Sequence, residues 1–380
     1  MLHKPKSFET SKANWAPAPS VAPPSVSQPR GLLFVGDPHV TSLRIARRID
    51  HYSNAVLDKL RQCAQLCTCH HWRMVILGDL FDRARESDMG LLHDLIWILR
   101  SCPHVPLVLV GNYDKSGLSL TVDTTLAMMG RAGVVDIIDA PCMIETAGVA
   151  LYGVPHGADI PAVLSHPCLP VVMISHHDLQ IEPNCNPKAQ PIAEITGCDL
   201  VVNGHDHTTK PPVRRGQTMY LNPGNISRVR VAQLHHQPAV FALFAAEHAP
   251  AAPDEVGLFK PKVHDDIVWR DGWVLRRFDL VCEPSERVFD LTGYEDVDRT
   301  HEALTAYLSS FEQVSQERFV QALASTSALQ AAGGGDTVAR IIREVMDDMR
   351  VEPAVREIVE ACLQKGPDDV VISSDADIIS

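Results

Sequence analysis

Five short apolar runs in this chain stop abruptly at a small or amide residue followed by Asp, Asn or His. Leu32-Leu33-Phe34-Val35 runs into Gly36-Asp37-Pro38-His39, and Met74-Val75-Ile76-Leu77 into Gly78-Asp79-Leu80-Phe81-Asp82-Arg83. Leu107-Val108-Leu109-Val110 ends at Gly111-Asn112-Tyr113-Asp114, Val171–Ile174 at Ser175-His176-His177, and Leu200-Val201-Val202 at Asn203-Gly204-His205-Asp206-His207. Short apolar runs without alternation read as strands buried on both faces. Helical periodicity fills 43–70 (Ile45, Ile49, Val56, Leu60, Leu66), and a second helix is expected over 89–99. Strand, polar turn and helix therefore alternate, which predicts an α/β layered fold. Met143–Val154 reads as a strand pair about Gly148, and strands near 219–221 and 239–244 close the region.

In an open α/β sheet, ligand sites gather at the carboxyl ends of the strands. Five polar clusters at five such ends are expected to converge. Carboxylates with neutral imidazoles suit Mn²⁺, Zn²⁺ or Fe²⁺ better than Ca²⁺ or Mg²⁺. Seven candidate ligands exceed one ion's needs and match two ions sharing a bridge. Such a pair clamps a phosphoryl group and generates a hydroxide nucleophile at neutral pH. The glycines before the ligands suit close backbone approach to metal or phosphate. A lone Gly-Asp after a strand is an ordinary turn, and most of the 18 histidines, His70, His71, His235 and His236 among them, have no ligand role to play. What carries the reading is the repetition at strand ends.

The ordered set GD-x-H, GD-x-x-D-R, GN-x-D, a strand-end His and GH-x-H resembles the calcineurin-like metallophosphoesterases over about residues 31–245. The resemblance implies a four-layer α/β/β/α sandwich with a C-terminal α+β appendage. It implies that Asp37, His39 and His207 hold one metal, that Asn112, His176 and His205 hold the other, and that Asp79 bridges. His176 is preferred to His177 as the first His after its strand. Asp79, Asn112, Tyr113, Asp114 and Arg83 make up the expected catalytic set, with Asp82 and Arg83 supporting the ligands and Arg83 also placed for phosphate. Mn²⁺ is the first expectation for the two divalent ions, with Fe²⁺ or Zn²⁺ as alternatives. Leu77–Arg83 with Glu86-Ser87, and Tyr220–Arg228, look most like the SbcD-type repair nucleases. One position departs from the family: Tyr113 stands where a His usually serves the leaving oxygen. A phenol with a pKa near 10 is a poorer proton donor than imidazole at neutral pH.

Composition sets the boundaries. With 380 residues, 45% hydrophobic, the chain has ample core, and its longest apolar stretches, Val105–Val110 and Ala239–Ala246, are too short for a membrane span. Residues 1–30 are a Pro/Ala-rich tail expected to be disordered, without the apolar segment of a secretory signal. Residues 1–250 carry 21 acidic and 21 basic residues, whereas 251–380 carry 26 and 13. This break divides a 31–248 metallophosphoesterase domain from an acidic 249–380 region. A hairpin over 267–280, helices near 298–326 and 336–364 and a frayed end are expected there. Cys63, Cys67 and Cys69 lack the paired spacing of structural zinc and read as reduced thiols of a cytoplasmic protein.

The expected function is a dinuclear-metal phosphodiesterase, nuclease-like in one version. Lys210, Arg214, Arg215, Arg228 and Arg230 would then form a basic lip for nucleic acid. The alternatives are a phosphomonoesterase or protein phosphatase, and a metal-bound scaffold of low turnover. A homodimer or protein partner is expected through the acidic region, and no membrane contact.

Overall fold

A computed structural model describes residues 27–45, 47–181, 189–249, 259–270 and 272–292. The helices and end expected beyond residue 292, and most of the N-terminal tail, lie outside the described residues.

The elements begin with β1 (Gly31–Val35), α1 (Tyr52–His70), β2 (Trp72–Ile76), α2 (Met89–Arg100), β3 (Leu107–Leu109), α3 (Thr125–Arg131) and β4 (Asp136–Ile138). There follow β5 (Cys142–Thr146), β6 (Val149–Val154), β7 (Val171–Ser175), β8 (Leu179–Gln180), β9 (Gln190–Pro191) and β10 (Leu200–Asn203). The remainder are β11 (Lys210–Arg215), β12 (Thr218–Asn222), β13 (Ala239–Ala245), β14 (Lys262–Val263), β15 (Ile267–Arg270), β16 (Trp273–Asp279) and α4 (Ser285–Val288).

Two mixed sheets face each other. The first runs β14-β16-β13-β1-β2-β3-β4, with β15 on β16, and the second β11-β12-β10-β7-β6-β5. β1 to β4 are parallel, as are β6, β7, β10 and β12. β1 shows why an unbroken apolar run is required. Leu32 and Phe34 fill the space between the sheets, while Leu33 and Val35 pack under the helices, all fully buried. Side chains alternate at period two, so a strand covered on both faces must be apolar throughout.

α1, α2 and α3 share one core with the outer face of the first sheet. α2 starts where the Asp88 carboxylate accepts the amide of Leu91 at 2.9 Å, an N-cap that satisfies one of the helix's free amides. The outer face of the second sheet is covered as well. Met173, Val201 and Tyr220 are covered there by loop residues such as Leu164, Ile181 and Ile195, with no helix among the described residues.

Two expectations are corrected. α1 begins at Tyr52, not near residue 43, because Leu43 and Ile49 are half or more exposed and Arg47 takes a left-handed φ of 60°. The expected hairpin forms as β15 and β16, but it is part of the first sheet. β16 pairs with β13 along its whole length, from Ala239↔Asp279 to Ala245↔Trp273.

Candidate metal centre

The carboxyl ends of β1, β2, β3, β7 and β10 meet at one edge of the sandwich. Asp37, His39 and His207 bring one ligand atom each to within 4.8 Å of one another, and Asp79, His176 and His205 do the same. Asn112 lies with the second group, its Oδ1 3.1 Å from His176 Nε2 and 3.2 Å from His205 Nδ1. Asp79 faces both groups with one oxygen: Oδ2 is 3.7 Å from His39 Nε2 and 3.3 Å from His176 Nε2. Its other oxygen, Oδ1, accepts the Tyr113 amide at 2.8 Å.

The imidazoles are oriented from behind. His176 Nδ1 donates to the Leu77 carbonyl at 2.7 Å, and His39 Nδ1 to Asp82 Oδ1 at 3.1 Å. Each bond claims the Nδ1 proton, so that the ring, once neutral, presents its Nε2 lone pair inward; burial would lower the His176 pKa, but without a cation Asp79 and Asp37 favour the protonated ring and raise it to about 9. Those lone pairs lack partners suited to them. His39 Nε2 and His207 Nε2 face each other at 2.9 Å, and the buried Asp37 Oδ2 has no hydrogen-bond partner. Converging acceptors and an orphaned carboxylate oxygen are what bound cations satisfy, so these residues fit divalent metal ions.

Electrostatics agree. Burial drives the Asp37 carboxyl up to about 6, against the pull of His176. Burial would raise Asp79 too, but His176, His39 and the Tyr113 amide hold it at about 2. Burial, then the neighbouring His39, pushes His207 down to about 3, keeping its imidazole neutral. Buried carboxylates beside a neutral imidazole favour a cation.

The backbone is strained at this place. Asp37, His39, Asp79 and His205 all adopt left-handed φ angles, between 38° and 73°. Non-glycine residues rarely do so, and such outliers cluster where function holds them. Two of the motif glycines make room for other ligands of the site. A Cβ at Gly111 would overlap Asp79 Oδ1, and one at Gly78, whose φ is +109°, would overlap His176 Nδ1.

Several expected residues stand elsewhere. Asp114 is fully buried, and its carboxylate is spent on the amides of Phe81 (3.1 Å) and Gly111 (2.9 Å). It ties the second and third loops together and does not face the cluster. Arg83 Nη2 donates to both oxygens of Glu86 at 2.9 Å and to the Ser42 hydroxyl, so the charge of its guanidinium is offset by a buried carboxylate, while its buried Nε has no hydrogen-bond partner. Tyr113 is 45% exposed, its ring edge-on to His39 at 5.2 Å between centroids. His177 Nε2 donates to the Ala158 carbonyl at 2.8 Å. Three residues of the expected basic lip are engaged elsewhere: Arg228 is buried, Arg214 bonds the Trp269 carbonyl, and Lys210 pairs with Asp206, whereas the exposed Arg230 lies near enough to His207 to act on it electrostatically. Cys63 and Cys67 lie in the core while Cys69 is exposed, so those thiols do not converge.

His156 was overlooked by sequence reasoning. Its ring sits 6.0 Å from His205 and 6.1 Å from His176 between centroids, and its buried Nδ1 has no partner. The signal was a sixth strand end: β6 finishes at Val154 and is followed by Pro155-His156-Gly157.

A layered α/β sandwich whose parallel strands deliver two carboxylate–imidazole groups to one edge is the framework of a metal-dependent phosphoester hydrolase. Residues 31–209 match the calcineurin-like phosphoesterase family. No curated protein matches the chain. Among solved structures it is similar to a hypothetical protein from Thermus thermophilus, with 12% identity and a TM-score of 0.34 over 58% of this chain and 96% of that one. It is similar to a 5'-nucleotidase precursor from the same organism, at 10% identity and a TM-score of 0.34 over 73% and 59%. For the NAD nucleotidase of Haemophilus influenzae the figures are 10% and 0.33 over 57% and 46%.

Proposed function

We propose that the chain is a dinuclear-metal phosphodiesterase. Asp37, His39 and His207 hold one ion, Asn112, His176 and His205 the other, and Asp79 bridges. One observation carries the reading: the single oxygen Asp79 Oδ2 stands within 3.7 Å of an imidazole nitrogen from each group. When bound, the ions supply Lewis acidity and a nucleophile at neutral pH. The imidazole and carboxylate set suits Mn²⁺ first, then Fe²⁺ or Zn²⁺.

The chain's residues do the rest. Leu77 and Asp82 fix the ring orientations of His176 and His39. Asp114 clamps the loops that carry Asp79 and Asn112. Tyr113 borders the first group and His156 the second, so a phosphoester seated between them meets hydrogen-bonding groups from two sides. The charge of Arg83 is offset by its ion pair with Glu86, which leaves less positive charge for a second phosphate charge and favours a monoanionic diester over a dianionic monoester. The engagement of Arg228, Arg214 and Lys210 elsewhere leaves few basic residues to track a polyanion and favours a small diester over DNA. The catalytic unit is read as residues 31–248 extended by β14 to β16. The eight free thiols among the described residues suit a cytoplasmic setting, and among those residues no helix is long and apolar enough to cross a membrane. A protein contact through the remaining acidic residues rests on their charge.

Hydrolysis of matched nitrophenyl mono- and diesters, and of DNA, by Mn²⁺-reconstituted protein tests this. The diester should have the highest kcat/KM. A monoester hydrolysed faster than its matched diester refutes it.

A further inference from the structure

A second site lies apart from the metal centre, at the start of α1. A pocket of about 380 Å³ opens beside the first turns of that helix and is lined by Arg48, Lys59, Arg228 and three carboxylates, Asp50, Asp58 and Glu283. Its charge is less balanced than that lining suggests. Asp50 is held bidentate by Arg48, at 2.8 and 2.6 Å; Asp58 is paired with Arg61 at 2.5 Å, and Glu283 with Arg287 at 3.3 Å. Each lining carboxylate thus has its own arginine. Two cations are left without an ion pair among the described residues. Arg228 is buried and bonds only neutral acceptors, the Ser285 hydroxyl and the Glu283 carbonyl. Lys59 is 8% exposed and makes no hydrogen bond or ion pair with the described residues.

The stem of Lys59 is buried while its ammonium opens on the pocket, where an anion can reach it. Burial, with Arg228 adding like-charge repulsion, pulls the Lys59 pKa down, and the nearby Asp58 offsets this in part. α1 adds a third positive feature. It is 19 residues long, its N-cap His51 makes no side-chain cap, and its first turn has no acidic residue. The leading amides of such a helix and its dipole both attract an anion.

We propose that this pocket binds a phosphate dianion, free or as a small phosphomonoester, between Lys59, Arg228 and the N-terminus of α1. The charge of the ligand matches the two cations that make no ion pair, and the volume leaves room for an organic group beyond the phosphate. The site is independent of the metal centre and of the phosphodiesterase reading.

The test is calorimetric titration of the full chain with inorganic phosphate and with 5'-AMP, in chelator so that the metal centre contributes no phosphate binding. Wild type should bind at one site; tighter binding of 5'-AMP identifies the phosphomonoester as ligand, and equal binding identifies phosphate alone. Lys59→Met keeps the buried stem and removes the charge, and should weaken binding about tenfold or more. Asn54→Asp is an exposed change in the first turn of α1. It should leave the melting temperature equal or higher, since an acid there suits the helix dipole, yet weaken binding by adding like charge to the pocket. That opposition of stability and affinity keeps the test decisive even where Lys59→Met fails to fold. Absence of binding of either probe below millimolar concentration, or wild-type affinity in both variants, overturns the proposal.

Discussion

At the scale of single residues, the site is built from groups that each satisfy one partner and leave one atom over. Asp79 spends Oδ1 on the Tyr113 amide and presents Oδ2 to two imidazoles. Asp79→Asn replaces one oxygen by a donor and removes the charge between the groups. Hydrolysis should fall below a few per cent of wild type, with bound metal reduced and the circular dichroism unchanged; activity well above that level would refute the bridge. His156 permits a sharper experiment because it touches no backbone partner through Nδ1. His156→Gln should lower kcat/KM roughly 10- to 100-fold, the worth of one hydrogen bond to a charged group, at unchanged metal content by atomic absorption. Unchanged kinetics would show that His156 only packs beside His205. Tyr113→His should raise turnover of an alkyl diester more than that of a nitrophenyl diester, since only the former needs its leaving oxygen protonated, a help of roughly 10²–10⁴-fold. A parallel rise across a leaving-group series would instead mean that position 113 acts on substrate binding.

At the scale of elements, what was legible in the sequence is what burial on both faces forces. β1, β2, β3, β7 and β10 announce themselves because a doubly covered strand admits no polar residue until it ends, and the ligands follow that end. Less was legible where context overrides pattern. β11 contains Pro211 and Pro212, which argue against a strand, yet it is an edge strand with a register shift between Lys210 and Val213, where proline is tolerated. The apolar period of α1 runs back through Ile49, which the fold leaves exposed. His156 was missed because a single His behind a proline lacks the motif that marks the others. The loop from β2 to α2 is governed by Glu86, which accepts from the amides of Ser42, Ser87 and Asp88, the Ser42 hydroxyl and Arg83. Burial would raise its pKa, but these donors, the Asp88 and Ser42 amides foremost, hold it at about 2 against an ordinary 4.5. A carboxyl depressed in the folded state stabilises above its unfolded pKa, and that stability is lost as pH falls from about 4.5 towards 2. Its worth is up to ~3 kcal/mol at neutral pH. Glu86→Gln should therefore destabilise the protein in urea at pH 7 and flatten the loss of stability below pH 4.5. An unaltered pH profile would show that the donors are satisfied elsewhere.

At the scale of the whole molecule, the charge break near residue 250 and the structural boundary do not coincide. Net charge reports solvation and partners, not which strands pair, and β16 lies beyond the break yet completes the first sheet. Val274 and Phe278 of β16 enter the core beneath the helices, and Leu275 enters the core between the sheets, fully buried. The neighbouring β15 ties the first sheet to the second: Trp269 Nε1 donates to the Asp199 carbonyl at 3.2 Å, and Arg270 pairs with the Asp199 carboxylate at 2.8 Å. Asp199 directly precedes β10, whose far end carries His205 and His207, so the hairpin braces the strand that delivers two of the proposed ligands. Leu275→Ala should cost about 2–5 kcal/mol in urea unfolding, the range for a buried Leu whose cavity does not collapse. Ending the chain at residue 249 should do more. It strips β13 of its partner over seven residue pairs, exposes an apolar edge that invites aggregation, and removes the brace on β10. Ending it at residue 292 keeps all of these contacts. The 249 truncation should lack a cooperative melting transition and lose Mn²⁺ binding, while the 292 truncation keeps both. If the 249 truncation melts cooperatively within a few degrees of the full chain, β16 is an addition to a sheet already stable without it, and the catalytic unit ends at the charge break after all.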